Sequence, residues 1–232
     1  MTLGAVSVTI PPRRALVDDV YDALLSLLMD QEIAPGARLS IDGVARQLDV
    51  SPTPVREALT RLEAEGLVLR EARKGYTAAE LLDAEGLDQL YELRILLEPR
   101  AARLATARLD AAARGELAAQ LRGMRQAAAS DGAEAGFRNY RDFAERDAAF
   151  HHTIARASGN PLLADAITRL RSHVHLYRLY FQHGIADDTA DEHAAILTAL
   201  EAGDADAAEL AMRTHLETSR ARLVPRADEA AE

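Results

Sequence analysis

Val50-Ser51-Pro52-Thr53-Pro54-Val55-Arg56-Glu57-Ala58-Leu59 is the stretch on which the fold turns. Serine followed by proline marks a helix start: Ser51 as N-cap, and Pro52 at the first helical position, where its fixed φ suits the helix. Pro54 is tolerated as well, because first-turn N–H groups have no intrahelical partner. Val55, Leu59 and Leu62 then fall on one face, and Gly66 closes the helix. Upstream, a tight turn at Asp49-Val50 precedes it, and before that a short helix follows Ser40 with Val44, Ala45 and Leu48 inward. A first helix is expected over about residues 15–32, where Val17, Val20, Leu24, Leu27 and Leu28 recur at helical spacing and Asp18, Asp19 and Asp22 turn outward. Ala34-Pro35-Gly36 ends it.

Downstream, Leu67-Val68-Leu69-Arg70 and Tyr76-Thr77-Ala78 read as short strands around the turn Arg73-Lys74-Gly75. Three helices and a basic hairpin describe a winged helix-turn-helix, which assigns residues 1–79 to one domain. In such a motif the second helix enters the major groove of DNA, and its N-terminal side chains reach base edges or phosphates. That end carries Ser51 and Thr53, whose small hydroxyls allow close backbone approach, and Arg56, which can fork onto guanine or phosphate. Arg46 and Arg61 are candidates for the DNA backbone, and Arg73 and Lys74 at the wing tip for phosphates or the minor groove. Each has a plain alternative: Arg56 can pair with Glu57 or Glu63 on a solvated face, and Arg73-Lys74 can be an ordinary polar turn.

Composition is compatible with this. The formal net charge is −10, which argues against a nucleic-acid partner, yet residues 38–76 hold 7 basic against 6 acidic side chains. A DNA reader needs a local basic patch rather than a basic total. The absence of cysteine excludes disulfides and thiolate metal sites, leaving oxygen and imidazole as ligands. No apolar run approaches the ~20 residues of a membrane span. Residues 1–10 lack a basic n-region and a sustained apolar stretch, so no signal peptide is read and a cytoplasmic location is expected.

Beyond Leu81 nothing is strand-like. Six helices are expected, over about 83–108, 110–129, 134–157, 161–183, 187–201 and 204–222, separated at Asp110, Gly132, Ser158-Gly159-Asn160-Pro161, Gly184 and Gly203-Asp204. The protein is therefore mainly α, with a C-terminal six-helix antiparallel bundle over residues 80–225 and a disordered tail over 226–232.

All seven histidines lie after residue 150. Phe143, Asp147, Phe150, His151 and Ile154 share one helical stripe, so Asp147 and His151 point the same way as core residues. Burying them there costs several kcal/mol unless something pairs them. His193 shares a face with Ile196, Leu197 and Leu200, and His215 with Ala208, Ala211 and Met212. Their helices meet at Ala202-Gly203 and should pack antiparallel, which puts the two histidines ~12 and ~16 Å from the turn, level to within about one helical turn. One carboxylate and three imidazoles can thus converge on a divalent ion such as zinc, nickel or manganese. Spacing alone equally permits an Asp147–His151 couple with two unrelated core histidines. His152, His173, His175 and His183 fit this face less well.

The motifs resemble a known family. Pro35-Gly36-Ala37-Arg38-Leu39, the stretch 50–59, Arg61-Leu62-Glu63-Ala64-Glu65-Gly66-Leu67-Val68 and Lys74-Gly75-Tyr76 are similar to the GntR signature. The resemblance implies that Ser51, Thr53 and Arg56 contact DNA and that Gly75 belongs to the wing. Many family members carry Arg where Pro52 stands and some carry Arg near Asp42, so those contacts are missing. Tyr91-Glu92-Leu93-Arg94 with Glu98, Asp147-Ala148-Ala149-Phe150-His151, Ser158-Gly159-Asn160, Glu192-His193-Ala194-Ala195-Ile196-Leu197 and Met212-Arg213-Thr214-His215-Leu216 resemble the FCD effector domain of the FadR-like branch, in its short, VanR-like form. By that resemblance Asp147, His151, His193 and His215 are metal ligands, and Arg94 faces the same cavity to meet an effector carboxylate. Arg94 can equally be the i,i+4 salt-bridge partner of Glu98.

The expected function is a homodimeric DNA-binding transcription regulator, not an enzyme, whose operator affinity answers to a small organic acid at the metal. Repression relieved by ligand is the commoner behaviour of the family. The rival reading is a helical metal-dependent enzyme acting on a small acid. It has no HExxH motif and no separate general base beside the ligands.

Overall fold

A computed structural model describes residues 14–29, 31–71, 75–129, 136–173, 175–176 and 186–229. The chain divides into two compact units between Glu80 and Leu81.

The first unit contains α1 (Arg14–Met29), β1 (Arg38–Leu39), α2 (Ile41–Gln47), α3 (Pro52–Ala64), β2 (Val68–Glu71) and β3 (Gly75–Ala78). The apolar stripes meet as their spacing requires. Val20, Leu24 and Leu28 of α1 close on Val55, Leu59 and Leu62 of α3, all at 3% exposure or less. Each such side chain contributes roughly 1.5–3 kcal/mol through burial. Ser40 caps α2 by accepting from the Gly43 N–H at 3.0 Å. Asp49 makes the tight turn with φ 53°, and Gly66 ends α3 with φ 80°, where a side chain would be strained. β1 was not expected. Gly36, at φ 73°, turns the chain so that its N–H reaches the Ala78 carbonyl and Ala37 accepts from Ala78. Arg38-Leu39 then pairs with Thr77-Tyr76, giving an antiparallel sheet in the order β1-β3-β2. Two residues are too few to show a strand period. α1 also stops three residues short of its expected end, before Gln31 at φ 56°.

The second unit is helical among the described residues: α4 (Ala84–Thr106), α5 (Ala111–Ala129), α6 (Gly136–Ala157), α7 (Pro161–Arg169), α8 (Ala186–Ala202) and α9 (Ala205–Glu229). α9 packs along α4 and α8, α5 along α6 and α8, and α4 against α6. Tyr91, Phe150, Ile154, Ile196, Leu200, Met212 and Leu216 fill the space between them. The Tyr91 hydroxyl lies 2.6 Å from Ser219 Oγ, and Asp88 accepts two hydrogen bonds from Arg220, at 2.6 and 2.7 Å. These contacts lock α9 onto the first turns of α4. No described helix is long and apolar enough to cross a membrane.

Two expectations need correction. The helix expected over 161–183 ends at Arg169, because Arg171 adopts φ 49° and donates its N–H to the Thr168 carbonyl. No glycine or proline announces that break; residues 172–173 and 175–176 are helical again. The tail expected from residue 226 is helical up to Glu229, since α9 continues through Pro225.

Candidate functional site

α3 presents two faces. Val55, Ala58, Leu59 and Leu62 are buried, whereas Thr53, Arg56, Glu57 and Thr60 are exposed. Ser51 occupies the N-cap in extended backbone (φ −72°, ψ 158°), but its side chain makes no capping hydrogen bond. Its exposed hydroxyl is therefore not committed to the helix. Arg56 and Arg46, both exposed, form no ion pair among the described residues, so Arg56 is not neutralised by Glu57 or Glu63. Thr60 Oγ1 donates to the Arg56 carbonyl at 2.8 Å and lies 3.4 Å from the Tyr76 hydroxyl, which joins the helix to the wing strand. Gly75 opens β3 at φ 88°. Arg73 and Lys74 lie outside the described residues. Arg61 behaves differently from the others. Its Nη1 donates to Asp18 at 2.6 Å and its guanidinium stacks 4.2 Å from the Tyr21 ring centre, so it faces α1.

In the second unit, α6 supplies Asp147 and His151, α8 supplies His193 and α9 supplies His215. The three imidazoles are buried, and one ring nitrogen from each lies within 4.8 Å of the others, an arrangement able to hold a metal ion. His193 Nε2 stands 3.1 Å from His151 Nε2 and 3.1 Å from Asp147 Oδ1, while His151 Nε2 is 3.9 Å from that oxygen. Ligand atoms around a tetrahedral or octahedral ion with bonds of ~2.1 Å stand about 3–3.5 Å apart, which the two 3.1 Å contacts of His193 match; the group close enough to share an ion is the three histidines, with Asp147 beside it.

The opposite ring nitrogens explain the orientation. His193 Nδ1 donates to the Thr189 carbonyl at 2.6 Å, and His215 Nδ1 to Glu192 Oε2 at 2.8 Å. His151 Nδ1 lies 2.5 Å from Glu98 Oε2, without the alignment of a hydrogen bond. With each Nδ1 facing an acceptor, the Nε2 lone pairs are turned toward a common centre. Burial and the neighbouring His193 push His215 down to about 3, so it is neutral at pH 7. Burial opposes ionisation of Asp147, yet the contact with His193 and the positive charge of the three nearby imidazoles when they are protonated hold its carboxyl well below the usual range.

A cavity of about 180 Å³ adjoins the cluster, lined by Arg94, Glu98, Asp147, His151, His152, Arg171 and His173 among others. Arg94 is itself buried and donates through Nε to Glu98 Oε1 at 2.6 Å. It thus pairs with Glu98 and lines the cavity at once. Burial works against Glu98 as a carboxylate, but Arg94 and His151 overcome it and lower its pKa strongly.

Sequence reasoning missed four participants. Glu98 is more than a partner of Arg94, since it also faces His151. Glu192 holds His215, and Arg222 holds Glu192 through Nη1 at 2.5 Å and Nη2 at 3.1 Å. Arg222 falls two helical turns after His215, a spacing that puts both on one face and was readable. Arg171 reaches the cavity through a backbone turn that was not.

Known proteins agree with this architecture. Residues 16–77 match the model for bacterial regulatory proteins of the gntR family, and residues 89–218 match the FCD domain. A Streptomyces ambofaciens protein, "Uncharacterized HTH-type transcriptional regulator in unstable DNA locus", is 32% identical over 200 residues, covering 85% of this chain and 80% of that protein. A Paenarthrobacter nicotinovorans protein, "Probable D-xylose utilization operon transcriptional repressor", is 32% identical over 205 residues, covering 88% and 87%. Among solved structures, E. coli McbR/YncC superposes with a TM-score of 0.63 at 27% identity, covering 90% of this chain and 96% of that one. A DNA-reading unit of this type joined to a C-terminal FCD unit has one classification: the chain belongs to the GntR family of bacterial transcription regulators, in the branch that carries an FCD domain.

Proposed function

We propose that this transcription regulator is a cytoplasmic homodimer whose operator affinity is set by a small organic acid, bound beside a divalent ion held by Asp147, His151, His193 and His215. The single observation that carries the reading is the convergence of one ring nitrogen from each of three imidazoles, with each Nδ1 turned toward an acceptor, beside a cavity lined by Asp147, His151 and Arg94. Three imidazoles and one carboxylate leave open positions on zinc, nickel or manganese. When bound, the ion supplies positive charge to an anionic ligand. Arg94 orients a second oxygen of the acid through the N–H groups it does not give to Glu98.

Residues 1–79 act as the DNA-binding domain and 80–225 as the effector-binding and dimerisation domain. Ser51, Thr53 and Arg56 meet the operator groove, Arg46 the backbone, and Arg73, Lys74 and Gly75 form the contacting wing. Arg61, already engaged with Asp18 and Tyr21, contributes less. Twofold symmetry matches two operator half-sites. The acid needs only to prefer one arrangement of the dimer by a few kcal/mol to change operator affinity. Release of a repressor by its ligand is the direction we assign.

The test is a gel-shift titration of the protein on its own upstream DNA, with carboxylic acids and with or without chelator. Arg56→Ala should weaken binding by roughly 5- to 100-fold, the range of one lost base or phosphate contact. An acid should weaken it only when metal is present. Operator affinity unchanged by every acid that binds the second unit would refute the reading.

A further inference from the structure

Glu192 sits on α8 immediately before His193, with 19% of its side chain exposed. It accepts from His215 Nδ1 at 2.8 Å and from both Nη atoms of Arg222. Arg222 Nη2 also lies 3.5 Å from Thr189 Oγ1, and the Thr189 carbonyl is the acceptor for His193 Nδ1. One guanidinium and one carboxylate therefore tie α9 to α8 at the turn where two of the three imidazoles are held. Among the described residues, none of α8 or α9 lines the cavity, so this pair is not part of its wall.

A neutral imidazole carries one N–H, and the nitrogen that keeps it is chosen by what the other meets. For His215 the choice rests with Glu192. If Nδ1 keeps the proton, Nε2 presents a lone pair to the centre. If the proton moves to Nε2, it points at the place where a cation would sit.

Resting on the metal reading above, we infer that Glu192, clamped by Arg222, is a positioning residue that fixes the His215 tautomer and thereby sets the affinity of the ion. Loss of such an outer carboxylate typically lowers metal affinity 10- to 100-fold. The competing role is a strut between α8 and α9, whose loss lowers stability with or without metal and leaves ion affinity alone.

Cobalt(II) is the probe, added to the full-length, metal-stripped protein in competition with a chromophoric chelator. Its visible absorption reports the ligand field independently of affinity. Glu192→Ala should bind cobalt about 10- to 100-fold more weakly and with altered band intensities. Glu192→Gln keeps an oxygen for Nδ1, so its spectrum should resemble the parent's while its affinity falls between the two. Arg222→Ala, which frees the carboxylate without removing it, should show a smaller loss. Glu192→Ala with parental cobalt affinity and spectrum but a lowered Tm would establish the strut and overturn the inference. Should Glu192→Ala not fold, parental affinity in Glu192→Gln would overturn it instead. A parent protein that binds no cobalt removes the metal reading itself, and this inference with it.

Discussion

His215 shows how one buried residue ties stability to pH. Its ring is 3% exposed, it faces His193, His151, Asp147 and Glu192, and its pKa falls from 6.5 to about 3, through burial first and then the neighbouring His193. The two carboxylates do not titrate in that window. Asp147 is held far below it, and Glu192, despite partial burial, is held at about 2 by His215 and Arg222. Between about 3 and 6.5 the unfolded chain therefore binds a proton that the folded, metal-free protein refuses. Its stability should fall by about 1 kcal/mol for each pH unit below 6.5. Urea unfolding of chelator-treated protein at pH 7, 6 and 5 measures this, and His215→Gln should flatten the slope. An unchanged slope in the variant would place the acid sensitivity elsewhere. The approach of Asp147, His151, His193 and His215 to one another was legible at this scale, because i,i+4 spacing and two helix lengths measured from one turn are properties of the sequence. The pairing of Arg61 with Asp18 was not, because the partners are 43 residues apart on different helices and no period relates them.

At the level of elements, two serines in equivalent places do different things. Both Ser40 and Ser51 precede a helix in extended backbone, but only Ser40 accepts a hydrogen bond from the helix it caps. Losing a working cap costs typically ~1 kcal/mol. Ser40→Ala should therefore lower the unfolding free energy by about that amount. Ser51→Ala should stay within about 0.5 kcal/mol of the parent and yet weaken operator binding. Denaturation curves and gel shifts on the same two variants separate these effects. Equal stability losses would mean that Ser51 caps after all. Sequence predicted both serines as helix starts and could not rank them, since Pro52 and Pro54 remove N–H donors from the first turn of α3 and so alter what a cap there can hold. The same limit hid the end of α7. Leu170-Arg171-Ser172 has the composition of a helix interior, and the left-handed turn at Arg171 brings that side chain to the cavity wall.

Across the whole chain, the two units bury separate cores, Leu24, Leu28, Val55, Leu59 and Leu62 in one and Tyr91, Phe150, Ile196 and Leu216 among others in the second. A ligand stabilises only the structure that binds it. The ion's proposed ligands all fall in the second unit, after Leu81, and the proposed DNA contacts all fall in the first. At a free concentration 100 times its dissociation constant, the metal should add about 2.7 kcal/mol to the second unit. For a unit of this size that corresponds to a rise of roughly 5–10 °C in its Tm. Calorimetry of the full chain should then show two separable responses, one transition moving with zinc or nickel and the other with operator DNA. A transition that moved with operator but ignored every divalent ion would leave the DNA-reading unit intact as an interpretation and remove the ion from the sensor. If zinc and operator instead moved a single shared transition, the two cores would unfold as one cooperative body, and the energetic coupling that an acid exploits would already be present without it.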